Sequence, residues 1–403
     1  MKFKLTIIFI LFQCLNLMGQ TASIFSNTSL GLGLASHNLS TRSMGMGNAG
    51  LAVSDSMNIN LLNYSKWADL RYTLIQAGFL AERSSYSITD NKGDLQNSGL
   101  SAFMLAIPLK EKRLTLFANL FPMNHLNFEG YSIVRDSSLF DREFFSFRKG
   151  DVTQLNFGLA ARIKPNVFQA IHFQYIVGSY NDEYRIFFDN STLTDLVYKY
   201  EYTLSVIGIG YSGHISFDKL DFGYYVNNYL DGTFKRIVRK PYDVSKKETE
   251  SYSTTLPYET GMGLAYSLGR SWLAALDFNF KNYAAGVPTF LDNDAMFENY
   301  SFIHAGLEKK SKAHPFMPII KRMDWRFGAF YGNEGYKVNN ESLQSFGITF
   351  GAGIPLNAAG SKVDIAIQIG KRGNLENNKK EETFIKLGVG FKTFEKWFHR
   401  FNK

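Results

Sequence analysis

Alternation of apolar and polar side chains decides the fold, and it is clearest in residues 363–370, which read Val363-Asp364-Ile365-Ala366-Ile367-Gln368-Ile369-Gly370. The odd positions are branched and apolar, and the even positions are small or polar. Successive side chains of a β-strand point to opposite faces, so this pattern predicts a strand with one apolar face. The same period of two recurs in residues 154–162, 272–281 and 385–392. We therefore expect an all-β chain.

The N-terminus has the features of a secretory signal peptide. Lys2 and Lys4 precede an apolar run from Leu5 to Phe12, and a polar-to-small stretch ends near Gln20. This run cannot cross a membrane as a helix, which needs about 20 residues. We expect residues 1–20 to direct export and then to be removed.

The only cysteine, Cys14, lies within this predicted signal. The residues before it, Leu11, Phe12 and Gln13, are not the small residues that a lipoprotein signal places there, so no lipid anchor is expected. Disulfides, thiolate metal sites and a cysteine nucleophile are thereby excluded from the mature chain.

Composition further limits the class of protein. Aromatic residues make up 15% of the chain, and mean hydropathy is -0.16. No apolar run after the signal is long enough for a membrane helix, which argues against a helical membrane protein, whereas a β-barrel needs apolar residues on one strand face only. The net charge of +8 forms no basic stripe, so nucleic-acid binding is not expected.

The connections between predicted strands alternate in length. Every second one is short, as at 110–112, 165–166 and 269–270, and most of the others are long and polar, as at 136–149 and 240–253. This asymmetry is typical of outer-membrane barrels. The sequence thus predicts a multi-pass transmembrane antiparallel β-barrel in a bacterial outer membrane, with about 14 strands at 71–88, 96–108, 113–133, 150–164, 167–188, 198–216, 219–238, 254–268, 271–283, 297–310, 322–338, 341–356, 362–374 and 380–393.

Residues 21–70 lack the period of two and do not look like barrel wall. Residues 42–55 read Arg42-Ser43-Met44-Gly45-Met46-Gly47-Asn48-Ala49-Gly50-Leu51-Ala52-Val53-Ser54-Asp55. This stretch resembles the N-terminal signature of the FadL/TodX family of outer-membrane transporters for long-chain fatty acids and other hydrophobic molecules. Residues 370–373 and 391–398 also resemble the closing strands of a FadL-like branch of that family.

The resemblance implies a hatch, or plug, inside a fourteen-stranded barrel. Residues 21–70 would form the plug, with its motif at Met44, Gly45, Met46, Gly47, Asn48, Ala49 and Gly50, and residues 71–403 would form the barrel. The family usually has Asn-Pro-Ala where this chain has Asn63-Tyr64-Ser65, so we expect that turn to be built differently.

Enzymatic and cofactor interpretations have weaker support. The Gly45-x-Gly47-x-x-Gly50 spacing lacks the strand and helix that a dinucleotide site requires, so these glycines are expected to let a plug backbone turn and press against the wall. The stretch 210–214 lacks the final glycine of a nucleophile elbow. His172 and His304 fall at inward positions, where a lone His is usually solvated. We expect no catalytic residues, metal ligands or cofactor.

Pro122 is the local anomaly of the third predicted strand. A proline in mid-sheet removes a ladder hydrogen bond and belongs at a bulge or kink. In FadL-like transporters an inward kink of the third strand opens a lateral gap in the wall. The stretch Phe121, Pro122 and Met123 resembles that kink. The alternative is a simple register-adjusting bulge.

These features favour passive passage of a small hydrophobic, fatty-acid-like molecule through a plugged barrel, with lateral exit into outer-membrane lipid. The alternative is a docking or assembly partner for secreted or surface proteins, without transport. An aromatic and Met-lined lumen would favour transport, whereas a polar, sealed lumen with an exposed apolar loop would favour docking. Like other such barrels, the chain is expected to need the barrel-assembly machinery.

The connection lengths predict that residues 134–149 and 239–253 face the cell exterior. An epitope inserted into either stretch should be recognised by antibody on intact cells. Recognition only of epitopes placed at Asn166 or Gly269 would mean that the barrel is inserted the other way round.

Overall fold

The computed structural model describes residues 23–27, 34–35, 40–53, 61–88, 91–134, 142–188, 196–240, 243–283, 297–311, 316–356 and 361–395. The predicted signal peptide, residues 1–20, and the end of the 391–398 motif lie outside these ranges. Helical structure in the described residues is confined to short pieces, Ile24–Asn27, Thr41–Met44, Ser65–Asp69 and Ile319–Arg322. None of the described helices has the length and apolarity needed to span a membrane.

The strands form one closed antiparallel barrel, as the alternation predicted. We number them β1 Thr73–Ile88, β2 Asn91–Lys110, β3 Leu114–Val134, β4 Arg142–Lys164, β5 Val167–Phe188, β6 Leu196–Ser216, β7 Leu220–Tyr229 with Gly232–Lys240, β8 Asp243–Thr254 with Glu259–Leu268, β9 Trp272–Lys281, β10 Tyr300–Lys309, β11 Asp324–Val338, β12 Glu341–Pro355, β13 Lys362–Asn374 and β14 Lys380–Glu395.

Closure occurs between the last strand and the first, which pair from Lys380 opposite Ile88 to Glu395 opposite Thr73. Strands β7 and β8 are each interrupted once, but both pieces of β7 pair with β6 and with β8, so each counts as one wall strand. The predicted number of fourteen strands is therefore confirmed.

Two predicted loops are wrong in extent, because most of their residues extend the strands. Strand β4 begins at Arg142 and not at 150, and its first residues pair with β3 as far as Val134. The stretch predicted as the loop 239–253 is mostly a hairpin in which Asp243–Thr254 pairs with Gly232–Lys240. These extensions carry polar residues on both faces, so they show no amphipathic alternation, yet the backbone ladder needs none.

The apolar face points outward and the polar face inward. Ile367, Ile369 and Leu387 are 40–45% exposed, whereas Gln368 and Lys386 between them are buried at 2–3%. Lys386 is not simply solvated in a lumen, because its Nζ lies 3.4 Å from Oε2 of the buried Glu82. The interior of the wall is therefore packed.

A lysine on the outward face should destabilise the barrel, because it places a charge in lipid. We expect Leu387→Lys to lower the free energy of unfolding by about 2–4 kcal/mol if this level is the bilayer midplane. Thr383→Lys, on the same face nearer the strand end, is the matched control and should cost about 0–1 kcal/mol. Equal losses in urea unfolding from lipid vesicles would contradict the assignment of this face to lipid.

Candidate functional site

Residues 40–53 lie inside the barrel against the wall. Ser40 caps the helix Thr41–Met44 by accepting a hydrogen bond from Ser43 N, and the chain then turns along β10, β11 and β12. Met44, Met46 and Ala49 are at most 1% exposed. These residues of the motif are thus buried against the inner face of the wall.

Glycines allow the close contact between this motif and the wall. A Cβ on Gly45 would lie 2.9 Å from Cα of Gly351, and one on Gly47 would lie 2.5 Å from the carbonyl oxygen of Ala329. Gly47 also has a φ of 67°, which L side chains rarely adopt. The glycines therefore serve tight turning and close approach, as predicted from the sequence.

The backbone of residues 47–51 is held by hydrogen bonds with wall side chains. Gly47 N donates to Thr349 Oγ1 at 2.8 Å, and His304 Nδ1 donates to Gly47 O at 2.8 Å. Asp277 Oδ2 accepts from Gly50 N at 2.6 Å and from Leu51 N at 2.8 Å. His304 was predicted to be inward and solvated; it is inward, but it is buried because it binds the N-terminal segment.

A buried ion-pair network joins the motif to the wall. Arg42 donates through Nε and Nη2 to both carboxylate oxygens of Glu308, at 3.0 and 2.5 Å. Arg326 Nε donates to the same carboxylate at 2.8 Å, and its Nη1 donates to Asp364 at 2.6 Å. Lys392 Nζ lies 3.4 Å from Asp364. Asp324 Oδ2 lies 3.8 Å from Arg326 Nη2, so two arginines and a lysine face three carboxylates in an enclosed site.

A second network holds the start of the described chain near the other end of the barrel. Ser23 Oγ donates to Glu382 at 2.8 Å, and Ile24 N donates to the same carboxylate at 3.2 Å. Arg372 contacts Glu382 and also donates to Glu334 Oε1 at 2.9 Å. The N-terminal segment is thus fixed to the wall at two heights.

The Asn63-Tyr64-Ser65 turn is built without the proline of the resembled family. Asn63 Oδ1 accepts from Ser65 N at 3.1 Å and from Ser65 Oγ at 2.6 Å, which closes an Asx turn. Its Nδ2 donates to Leu51 O and Gly213 O. The side chain of Asn63 therefore closes the turn and also attaches it to Leu51 and to the wall at Gly213. The turn is thus built differently from that of the resembled family, as expected.

Pro122 marks a bulge in β3, where Pro122 is opposite Thr153 but Asn124 is opposite Val152. On the other side of β3, the recorded pairs with β2 run from the turn to Leu120 opposite Phe103 and stop there. Beyond that point Leu34–Ala35 of the N-terminal segment pairs with β3 instead, at His125 and Asn124. We call this place, between β2 residues 98–102 and β3 residues 121–125, the seam.

The seam lies in the same hydrogen-bonded rows as lipid-facing wall. Ser98 and Leu100 of β2 are opposite Ala81 and Phe79 of β1, which are opposite Leu387 and Val389 of β14. Leu387 and Val389 are outward and 44% and 40% exposed. The seam is therefore continuous, through these rows, with wall that carries outward apolar side chains.

A cavity of about 60 Å³ lies between the N-terminal segment and the seam. Its lining combines apolar and polar side chains and includes Tyr64, Phe121, Met123, Tyr225, Lys281 and Tyr300. Two of these, Phe121 and Met123, flank Pro122. The lumen of the described chain thus has a space that reaches the bulge.

Buried aromatic clusters connect this cavity with the far end of the barrel. Tyr300 lines the cavity and belongs to a cluster with Tyr283 and Phe302, against which Phe297 packs. Phe297 also packs against a cluster near the β11–β12 and β1–β2 turns, formed by Ile24, Phe25, Tyr336, Val338 and Leu343. The sequence indicated many aromatic residues but not that these form a connected series.

The described residues contain no group of three His, Cys, Asp or Glu side chains arranged to hold a metal ion. His214 contacts Asp221 at 3.0 Å and Ser216 at 3.2 Å, but both through Nε2, whereas a catalytic triad uses the two ring nitrogens separately. His172 is buried, accepts from Gln174 Nε2 at 3.0 Å and packs on Tyr64. It was predicted to be solvated and is instead part of the packing.

A closed fourteen-strand barrel with an N-terminal segment inside it is the fold of FadL-like barrels. The chain belongs to the BamG family, whose model matches residues 1–219 and 227–402. Among curated proteins, none matches this chain.

Solved structures share this fold at very low sequence identity. The "CymD monoaromatic hydrocarbon channel" has a TM-score of 0.56 at 12% identity, covering 92% of this chain and 99% of its own. The toluene transporter TodX of P. putida has 0.55 at 11%, covering 91% and 99%. A Pseudomonas aeruginosa FadL homologue has 0.58 at 9%, covering 89% and 99%. At these identities the likeness concerns the fold.

Removal of the Arg42 charge should loosen the N-terminal segment. Arg326 still neutralises Glu308 in Arg42→Met, so we expect the loss to lie at or below the lower end of the about 3–5 kcal/mol seen when a buried pair loses one partner. Planar-bilayer recordings should then show more frequent open events. Arg83→Met removes an exposed pair with Asp94 and should leave conductance unchanged; equal conductance in both variants would contradict a locking role for Arg42.

Proposed function

We propose that this protein is an outer-membrane channel for small hydrophobic molecules, in which residues 21–70 act as a hatch and the seam acts as a lateral exit. The observation that carries the proposal is that the lumenal cavity reaches Phe121 and Met123 at the point where β2–β3 pairing ends. A wall whose ladder stops beside an internal cavity supports passage through the wall better than passage along the barrel axis.

The entry path would follow the connected aromatic clusters. A hydrophobic molecule entering between the hairpins would meet the Phe25 and Tyr336 cluster, then Phe297 and Tyr300, and then the cavity. Sites of this kind hold ligands mainly by apolar contact, and their polar groups, here including Lys281, fix the ligand's orientation. No step requires an energy source, so net movement would follow the concentration gradient.

The hatch would govern both ends of this path. Its short strand Leu34–Ala35 occupies part of the β3 edge that β2 leaves unpaired. Backbone groups in hydrocarbon must be hydrogen-bonded, so withdrawal of this strand would have to be coupled to new pairing or to entry of water or ligand. Movement of the hatch would therefore open and close the exit.

The structural neighbours support the same class of cargo. CymD is called a monoaromatic hydrocarbon channel and TodX a toluene transporter. By this analogy the cargo would be a small hydrophobic molecule, either monoaromatic or fatty-acid-like, released into outer-membrane lipid.

A second candidate is a docking or assembly role, without transport, for secreted or surface proteins held at the surface of the barrel. The buried ion pairs at Glu308 and Glu382 favour this candidate, because they seal the polar side of the lumen at two heights. A barrel kept closed by these pairs would act through its hairpins and turns alone.

Pro122→Val tests the exit. The substitution restores a backbone N–H, and in a lipid-facing wall this donor favours regular pairing because an unsatisfied one costs several kcal/mol. We expect slower uptake of a fluorescent monoaromatic probe by cells making this variant, with unchanged heat-modifiable gel migration. Pro108→Val, in β2 close to the turn, is the matched control and should leave uptake unchanged.

A disulfide across the seam is a second test of the lateral exit. Ala102→Cys with Phe121→Cys places the two thiols at the first positions past the last recorded β2–β3 pair. Oxidation should block uptake and reduction should restore it. Normal uptake both in Pro122→Val and in the oxidised double variant would rule out lateral exit and favour the docking role.

A further inference from the structure

The connection between β10 and β11 carries an exposed apolar group that the barrel wall does not require. Phe316 is 91% exposed, Met317 45%, Ile319 55% and Ile320 66%. The lipid-facing wall residues Ile303 and Phe327 are exposed to a similar extent, 50% and 47%. A cluster of this kind on a connection marks a surface that contacts a membrane or another molecule.

The base of this connection is fixed by hydrogen bonds. Ser311 N donates to Asp324 Oδ1 at 2.9 Å, and Ser311 Oγ donates to Arg322 O at 2.7 Å. Lys321 N donates to Pro318 O at 3.0 Å within the turn that leads into Ile319–Arg322. The apolar side chains are therefore presented from an anchored turn.

The charge of the connection has one sign. From position 309 to 323 the sequence contains Lys309, Lys310, Lys312, Lys321 and Arg322 and no Asp or Glu. Basic residues next to apolar ones are typical of segments that lie in the interface of an anionic membrane, with apolar side chains among the acyl chains and cationic groups at the phosphates.

The connection also starts at the aromatic rim of the wall. Trp272 and Trp325 stand on either side of Lys309 in the ladder, and Lys309 Nζ lies 5.6 Å from the centre of the Trp272 ring. Tryptophans of this kind mark the membrane–water interface in barrels. The exposed group therefore begins within reach of the lipid headgroups at the short-turn end of the barrel.

We propose that residues 316–322 form a lipid-binding arm, which inserts Phe316, Met317, Ile319 and Ile320 into the leaflet at the short-turn end and binds anionic phospholipid headgroups through Lys321 and Arg322. Charge complementarity and continuity with the aromatic rim favour lipid over a soluble protein partner. The arm does not depend on transport, so it goes beyond the proposed function.

The test uses the mature chain, which lacks Cys14, folded into lipid vesicles. Met317→Cys carries an environment-sensitive fluorophore, and Asn166→Cys, in the β4–β5 turn at the same end, carries it as the control. The vesicles contain phosphatidylcholine alone or mixed with phosphatidylglycerol. Quenching is measured with spin-labelled lipid and with iodide in the water.

We expect lipid-borne quencher to act on the position-317 label and iodide to act on the position-166 label, with stronger lipid quenching when phosphatidylglycerol is present. Lys321→Gln with Arg322→Gln should lower the ratio of embedded to water-exposed label by about thirtyfold in the anionic vesicles. Iodide quenching of the position-317 label in both vesicles would overturn the proposal and indicate a surface for a soluble partner. If the position-317 label is embedded equally with and without phosphatidylglycerol, the proposed binding of anionic headgroups is wrong.

Discussion

Hydrogen bonding of the backbone in hydrocarbon is the constraint on which this structure depends. Because lipid offers no donors or acceptors, a strand in the wall needs a neighbour on each side, and the ladder between Lys380–Glu395 and Thr73–Ile88 meets that need by closing the barrel. The β2–β3 pair departs from the rule beyond Phe103 and Leu120. Part of the exposed β3 edge is taken by Leu34–Ala35 of the N-terminal segment. The segment inside the barrel thereby completes part of its wall.

Closure of the barrel also requires that buried inward charges be paired. Side chains that point inward cannot reach lipid, and once the lumen is filled they cannot reach bulk water, so inward charges such as Glu308, Asp364 and Glu382 need partners. Arg42 and Ser23 of the N-terminal segment contribute to that pairing. Such pairs cost desolvation and add little net stability, but they specify one position of the segment against the wall.

The ion pairs and the aromatic cluster around Tyr300 share one side of the lumen. Strands β10 to β14 carry Glu308, Arg326 and Asp364, and the same strands carry most of the aromatic residues clustered with Tyr300, including Phe384. The N-terminal segment is therefore paired to the wall on this side, and its short strand meets β3 on another. Such an arrangement suits a segment that pivots on its ion pairs while its short strand leaves β3. The connection at 316–322 joins two of the strands that hold the ion pairs, so anchoring it to lipid would not interfere with such movement.

The sequence by itself determined the wall: the period of two in residues such as Val363–Gly370 sets which face meets lipid, the connections set the number of strands, and Pro122 marked the bulge. It missed the hairpin extensions at 142–149 and 243–254, because both faces of these strands carry polar residues and so give no alternating signal. Only the tertiary structure decided that pairing between β2 and β3 ends at Leu120 and that Leu34–Ala35 pairs with part of the open edge. It also decided the contacts of Arg42 with Glu308 and of His304 with Gly47, and the place of Tyr300 in the cavity wall. Those contacts connect residues far apart in the chain, and their partners depend on how the closed barrel sets the register of every strand, which no local pattern encodes.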